Sequence, residues 1–311
     1  MLFASRASRA QRERPGVRRI AFLGAADERG YASRIAALRA GLNELGYVEG
    51  RNLEIVFRWA EGRYERLPAL AAELVRLDVE VIVTHAIPPT LAAKAATTTI
   101  PIVMTNVGDA VANGIVTNLA RPEGNITGDT FFGPELAAKR LELLREALPR
   151  ARRIGILVNP DNPGNRRSLP ALEQAAATLG ATTVRVEARG VEAVADAIDA
   201  AAPRLDALLV LEEVRFIAGV RRIADIVTAR RLPAIGFTEL AVAGGLIGYG
   251  ADFLALYRRA ATFVDRILKG ARPADLPVER PTRFTLVVNA KAAHTLGIVL
   301  PASFLVRADV L

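Results

Sequence analysis

Short continuous apolar runs alternate along the chain with longer stretches whose apolar positions recur every three or four residues. Ile20 to Leu23, Val81 to Val83 and Ile102 to Met104 are runs of the first kind, expected of parallel strands covered on both faces. Leu67, Leu70, Ala71, Leu74 and Val75 form a stripe of the second kind, one buried face of a helix. The first half therefore predicts strands at 18–24, 53–58, 80–84 and 101–105, with helices at 31–45, 63–76 and 88–97 between them. The second half predicts strands at 152–159, 182–187, 206–212 and 233–237, with helices at 166–179, 191–202 and 216–230. A glycine-rich strand at 244–250, a long helix at 252–269 and a strand at 283–289 follow. Asp252 suits the N-cap of that helix, Gly270 its end and Pro273 the stop beyond.

The two halves are copies of one plan. Arg18-Arg19-Ile20-Ala21-Phe22-Leu23-Gly24 returns as Arg152-Arg153-Ile154-Gly155-Ile156-Leu157-Val158, 134 residues on (18 to 152), and the same shift carries Leu45-Gly46 onto Leu179-Gly180. A repeat of that length is the size of a domain. The fold class is thus α/β, two doubly wound parallel-sheet lobes joined by a hinge of three crossings near 130, 245 and 281. The implied division is 17–130 with 246–280 as the N-terminal lobe and 131–245 with 281–311 as the C-terminal lobe. Residues 1–16 form a basic extension.

Composition narrows the function classes. With 311 residues, 51% hydrophobic and 24% charged, the chain has enough material for two cores. Of its formal net charge of +8, a local +5 lies in residues 1–19, so the body is nearly balanced and a nucleic-acid partner is not expected. No apolar run reaches the roughly 18–20 residues of a membrane span. The N-terminus lacks the apolar core of a secretory signal, although Ser8-Arg9-Ala10 before Gln11 has the small residues of a cleavage site, as a signal remnant would. Zero cysteines exclude disulfides and thiolate chemistry.

Catalytic signatures are missing. Gly24 and Gly30 lack the dinucleotide-binding spacing, no Walker loop or Gly-x-Ser-x-Gly elbow occurs, and neither His85 nor His294 lies in a metal motif. No cofactor and no metal is expected. Candidate ligand contacts lie instead at the carboxyl ends of the strands, where open α/β sheets bind ligands and helix N-termini offer free N–H groups. In the first lobe these are Gly24, Ala25, Ala26 and Asp27, then His85, Ala86, Ile87 and Pro88, then Asn106 and Asp109. In the second they are Asn159 and Asn162, Glu213 and Phe216, and Thr238 and Glu239. His85 serves equally to satisfy a backbone group. Glu212 and Glu213 end a buried strand, so one needs a partner, either a ligand ammonium or an arginine such as Arg215.

Four stretches carry a family resemblance: Glu44-Leu45-Gly46-Tyr47-Val48-Glu49-Gly50-Arg51-Asn52, Trp59-Ala60-Glu61-Gly62-Arg63-Tyr64-Glu65-Arg66-Leu67-Pro68, Leu119-Ala120-Arg121-Pro122-Glu123-Gly124-Asn125-Ile126-Thr127-Gly128 and Gly244-Gly245-Leu246-Ile247-Gly248-Tyr249-Gly250. Together they resemble ABC transporter substrate-binding proteins of the tryptophan- and tyrosine-associated type, with the type I periplasmic binding protein fold. The resemblance runs from about residue 17 to the C-terminus. It implies a monomeric, non-catalytic receptor, periplasmic or lipid-anchored, that closes on a small ligand and hands it to ABC permease subunits. The chain departs from the family at Ala86-Ile87-Pro88, where Gly-Thr-Pro is common, and at Glu212-Glu213, where Ser-Asp is common.

The expected ligand is an aromatic or branched amino acid or a related carboxylate. Backbone N–H groups at Gly24 to Asp27 and Ala86 to Pro88 would hold its anionic end, Asp109 or Glu213 an ammonium, and Phe131, Phe132, Phe216 and Tyr249 its apolar body. The alternatives are a cytoplasmic effector module of the same fold, for which too few residues precede the first strand to form a helix-turn-helix, and a Rossmann-like enzyme.

Overall fold

The computed structural model describes residues 16–131, 133–201 and 205–311. Nearly all of the basic extension, and Phe132, lie outside the described residues. The first sheet holds β1 (Arg18–Gly24), β2 (Leu53–Trp59), β3 (Val81–His85), β4 (Ile102–Gly108) and β5 (Ile126–Phe131), all parallel, in the order β2-β1-β3-β4-β5. The two-residue period of β1 explains its continuous apolar run. Ile20 and Phe22 face the core under α1 (Glu28–Glu44), while Ala21 and Leu23 face the core under α2 (Leu67–Val75) and α3 (Ile87–Ala96).

The second sheet repeats the order. After α4 (Gly133–Ala147) come β6 (Arg153–Val158), α5 (Pro163–Thr178), β7 (Thr182–Glu187), α6 (Val194–Ala201) and β8 (Ala207–Val210). Next are α7 (Val214–Ala218), α8 (Val220–Ala229), β9 (Ala234–Gly236), α9 (Thr238–Ala243) and β10 (Ile247–Ala251). The strands run β7-β6-β8-β9-β10, extended by β11 (Phe284–Val288), antiparallel to β10, and β12 (Asp309–Val310). Between them in sequence lie α10 (Phe253–Leu268), capped by Asp252 as expected, and two short helices, α11 (Ala290–Leu296) and α12 (Ala302–Leu305).

One boundary moves. The sequence division gave 246–280 to the first lobe, yet Ile247 of β10 pairs with Ile235 on one side and Val288 on the other, inside the second sheet. Gly244 and Gly245 mark the end of α9, where the Gly245 N–H closes on Leu240 O, rather than a crossing. The chain crosses just after, at Asp252, and α10 packs on α1 and β4 of the first sheet. β5 of the first sheet ends at Phe131 while α4 packs on the second sheet, and Glu279 bridges to Asp129 of the first sheet while Phe284 pairs with Ala251 of the second. Three adjacent strands of chain between two lobes make a hinge.

Candidate functional site

A cavity of about 130 Å³ lies between the lobes, lined by the turns after β3, β4 and β5 on one side and those after β6 and β8 on the other. That is room for on the order of ten waters, and thus for an amino-acid-sized molecule. Its apolar lining includes Ile87, Phe131 and Ile217.

Glu213 dominates the electrostatics of the second-lobe wall. It is 1% exposed and accepts hydrogen bonds from Asn159 Nδ2 (3.0 Å), Asn162 Nδ2 (2.7 Å) and, across the cleft, Tyr64 OH (2.6 Å). All three donors are neutral, and among the described residues no arginine or lysine comes within ion-pair distance of it. Burial, reinforced by the adjacent Glu213 carboxylate, holds the Tyr64 phenol well above its ordinary pKa, so it remains a donor. The turn that presents the asparagines is self-built. Asn162 caps α5 by accepting the Gly164 N–H, and Asn165 Oδ1 accepts the Asn159 N–H.

The first-lobe wall is strained. Ala86, Asn106 and Asp109 line the cavity with φ of 56°, 52° and 39°, the left-handed region that costs a non-glycine residue of order 1 kcal/mol. Asn106 sits in a bulge between Met104 and Val107 of β4, and its buried Oδ1 has no partner. Asp109 Oδ1 accepts the Ala112 N–H, closing the turn below the rim. In the turn from Ala86 to Pro88 the Ala86 N–H is spent on Thr105 O and Pro88 carries none, so Ile87 alone has an N–H to offer an anion there.

Of the residues singled out in the sequence, Ala86, Ile87, Asn106, Asp109, Phe131, Asn162 and Glu213 line this cavity. The others do not. Trp59 packs flat over Gly24, so closely that a Cβ there would lie 2.1 Å from its ring. The Ala25 N–H goes to His85 Nε2 (3.1 Å), the Ala26 carbonyl accepts the Glu61 N–H, and Asp27 caps α1 through the Gly30 N–H. His85 is wholly buried against Phe22 and Tyr31, and desolvation, helped by Arg34, lowers its pKa to about 3. It is a neutral core residue, the duller of its two readings. Pro88 is buried in the first turn of α3, Asn159 is buried and donates to Glu213, and Phe216 belongs to the core beneath α8. Thr238 bonds Glu239, which pairs with Arg34 across the lobes (2.6 Å), and Tyr249 stacks on Phe284 outside the cavity.

Several contributors escaped the sequence reading. Arg140 of α4, 0% exposed, makes a two-pronged pair with Glu212 and donates to Tyr249 O (2.7 Å). It, not Arg215, is the arginine that the double glutamate needs; Arg215 lies over the Tyr64 ring instead. The signal was one charge in the apolar stripe of Leu136, Ala137, Leu141 and Leu144. Arg167 and Asn113 also line the cavity, and Arg167 Nη1 reaches Ala112 O of the opposite lobe (3.1 Å). Tyr64 stood in a quoted family stretch but at a position with no visible chemistry.

The chain is similar to known proteins over most of its length. A family model described as ABC transporter substrate binding protein matches residues 25–311. A tyrosine-binding protein of Clostridioides difficile is 26% identical over 249 residues, 80% of this chain and 72% of that protein. A conserved domain protein from Vibrio cholerae, 29% identical, superposes with a TM-score of 0.88 over 94% of this chain and 99% of that one. An ABC domain in complex with L-Trp from Streptococcus pneumonia, 25% identical, does so with a TM-score of 0.85 over the same shares.

Proposed function

This chain belongs to the ABC transporter substrate-binding protein family, and from that premise we propose that it is the receptor for an amino acid with an aromatic or branched side chain. The observation that carries the reading is Glu213, a buried carboxylate facing the cavity with neutral donors only. A charge so placed is costly without a counter-ion, and a ligand ammonium supplies one. Asn106 Oδ1, a buried acceptor without a partner on the opposite wall, is the second contact for that ammonium. Because the two acceptors sit on different lobes, the ammonium gains both only in the closed state, which is the differential interaction that drives closure. Arg167 receives the ligand carboxylate in place of the backbone N–H groups expected at 86–88. Phe131, Ile87 and Ile217 receive the side chain.

The tyrosine- and tryptophan-binding relatives support an aromatic member of this class. The receptor works outside the cytoplasm as a monomer and delivers its ligand to ABC permease subunits; no helix among the described residues is long and apolar enough to cross a membrane.

Calorimetry with L-tyrosine, L-tryptophan and L-leucine tests the proposal, each paired with its N-acetyl derivative. Binding of a free amino acid that is lost on acetylation, and lost again in Glu213→Gln, is the expected result. Equal affinity for the free and acetylated forms would remove the ammonium site from the reading.

A further inference from the structure

Behind the strained first-lobe wall lies a second carboxylate that the ligand cannot touch. Asp129 of β5 is 0% exposed and its Oδ1 accepts the backbone N–H of Asn106 at 2.7 Å. Asn106 is the bulged, left-handed residue that offers its amide to the cavity. Without this acceptor the bulge would leave a buried N–H unsatisfied, at a cost of about 1–3 kcal/mol. Asp129 also stands at the hinge. It is two residues before the end of β5, where the chain first crosses, and it bridges in parallel to Glu279, where the chain crosses last.

The groups around it are few, and two of them are charged. From β4 come the Asn106 N–H and the Thr105 hydroxyl, neither Thr105 Oγ1 nor Asp129 Oδ2 having a well-aligned partner. From α10 come Arg259, whose Nη1 holds Glu279 at 3.2 Å while its Nε and Nη2 stay buried and unpaired, and the Tyr257 phenol. From the third crossing comes Glu279 itself. The carboxyl thus has one cation and one like charge nearby and no direct ion pair. Burial outweighs the hydrogen bonds and Arg259 and raises its pKa to about 7.

We propose that Asp129 is the positioning residue of the cleft: ionised, it holds the Asn106 bulge in binding geometry through a charge-assisted hydrogen bond, and its protonation loosens that hold and lowers ligand affinity. The affinity half rests on the receptor reading above; the positioning half does not. The sign follows from the acceptor. A carboxylate accepts an N–H more strongly than a carboxylic acid, so the geometry that binds ligand favours the ionised form. Ligand and proton then compete through Asp129, and affinity falls as pH falls from 8 to 6.

Two readouts test this on the whole chain. In the ligand-free protein, the Asn106 backbone amide followed by ¹⁵N TROSY spectroscopy should titrate between pH 6 and 8. The titration should vanish in Asp129→Asn, which keeps the acceptor and removes the proton. Its midpoint should move up in Arg259→Gln, which loses the cation, and down in Glu279→Gln, which loses the like charge, so the assignment survives if Asp129→Asn does not fold. Calorimetry with L-tyrosine should show about tenfold weaker binding at pH 6 than at pH 8, and no such dependence in Asp129→Asn. An Asn106 amide that does not titrate, or titrates unchanged in Asp129→Asn, overturns the positioning role. Binding of L-tyrosine with one affinity at both pH values overturns the effect on affinity. Failure of L-tyrosine and L-tryptophan to bind at either pH counts against the ligand class and not against Asp129, on which the amide titration then decides.

Discussion

Tyr64 of the first lobe donates its phenolic proton to Glu213 of the second at 2.6 Å, and the same carboxylate caps the helix that begins at Val214. The bond exists only while the lobes are together. A hydrogen bond to a charged acceptor contributes about 1.5–3 kcal/mol, so this one biases the hinge toward closure before any ligand arrives. Tyr64→Phe keeps the ring under Arg215 and deletes only the donor. Small-angle scattering of the ligand-free variant should give a larger radius of gyration than the wild type, with the thermal midpoint little changed. Equal radii would show that the bond does not hold the lobes.

The second lobe has its own fastening in Arg140 of α4 and Glu212 after β8, 0% and 13% exposed at their side chains. Removing one partner of a buried pair strands the other, at about 3–5 kcal/mol. Arg140→Met should therefore lower the stability of the chain by that amount in urea denaturation. The double variant with Glu212→Leu should recover most of the loss, since apolar replacement of both partners is close to neutral. A double variant as unstable as the single one would show that the bond to Tyr249 O, rather than the ion pair, carries the energy.

Gly164 and Ile87 meet across the cleft. A Cβ at Gly164 would lie 2.2 Å from Ile87 Cδ1, although Gly164 is in the first turn of α5, where alanine is otherwise preferred by about 1 kcal/mol. Gly164→Ala should thus leave the thermal midpoint unchanged or higher while weakening L-tyrosine binding, because the new methyl group obstructs closure alone. Adding Ile87→Ala should restore part of the affinity, the remainder being the apolar contact that Ile87 itself gives the ligand. If calorimetry shows that Gly164→Ala binds as the wild type does, the contact is not part of the closing surface.

These contacts show where the sequence was legible. The doubled strand order followed from apolar runs and helical stripes because burial on two faces writes itself into composition, in Ile20 and Phe22 against Ala21 and Leu23 as in Ile154 and Ile156 against Leu157. Strand-end turns such as Asn106 to Asp109 and Asn159 to Asn162 were visible as polar residues where the sheet stops. Contacts between distant parts of the chain were not visible. Tyr64 and Glu213 are 149 residues apart, and Arg140 and Glu212 are 72 apart, and no local pattern names a partner at that distance. Trp59 over Gly24 excluded the first turn by packing, which periodicity does not encode. The crossing at Asp252 was misplaced because two glycines that end a helix look, in sequence, like a linker.

His85 and Asp129 give the chain two buried titrations of opposite sign. His85 has its pKa lowered to about 3 by desolvation and by Arg34, so between about pH 3 and 6.5 the unfolded chain binds a proton that the native state refuses. Its contribution to stability is complete above pH 6.5 and is lost as pH falls, by about 1.4 kcal/mol per pH unit. Asp129 is raised by burial to about 7, so between about pH 4 and 7 the native state holds a proton that the unfolded chain has released. Its contribution therefore declines as pH rises, at about the same slope. The two nearly cancel between about pH 4 and 6.5. Urea midpoints taken across that range should separate them when each variant is compared with the wild type, which subtracts the shared surface carboxylates. In His85→Gln the uncompensated Asp129 makes stability fall with rising pH relative to the wild type, and in Asp129→Asn the uncompensated His85 makes it rise. Parallel pH profiles in all three proteins would mean that neither group titrates in the interior.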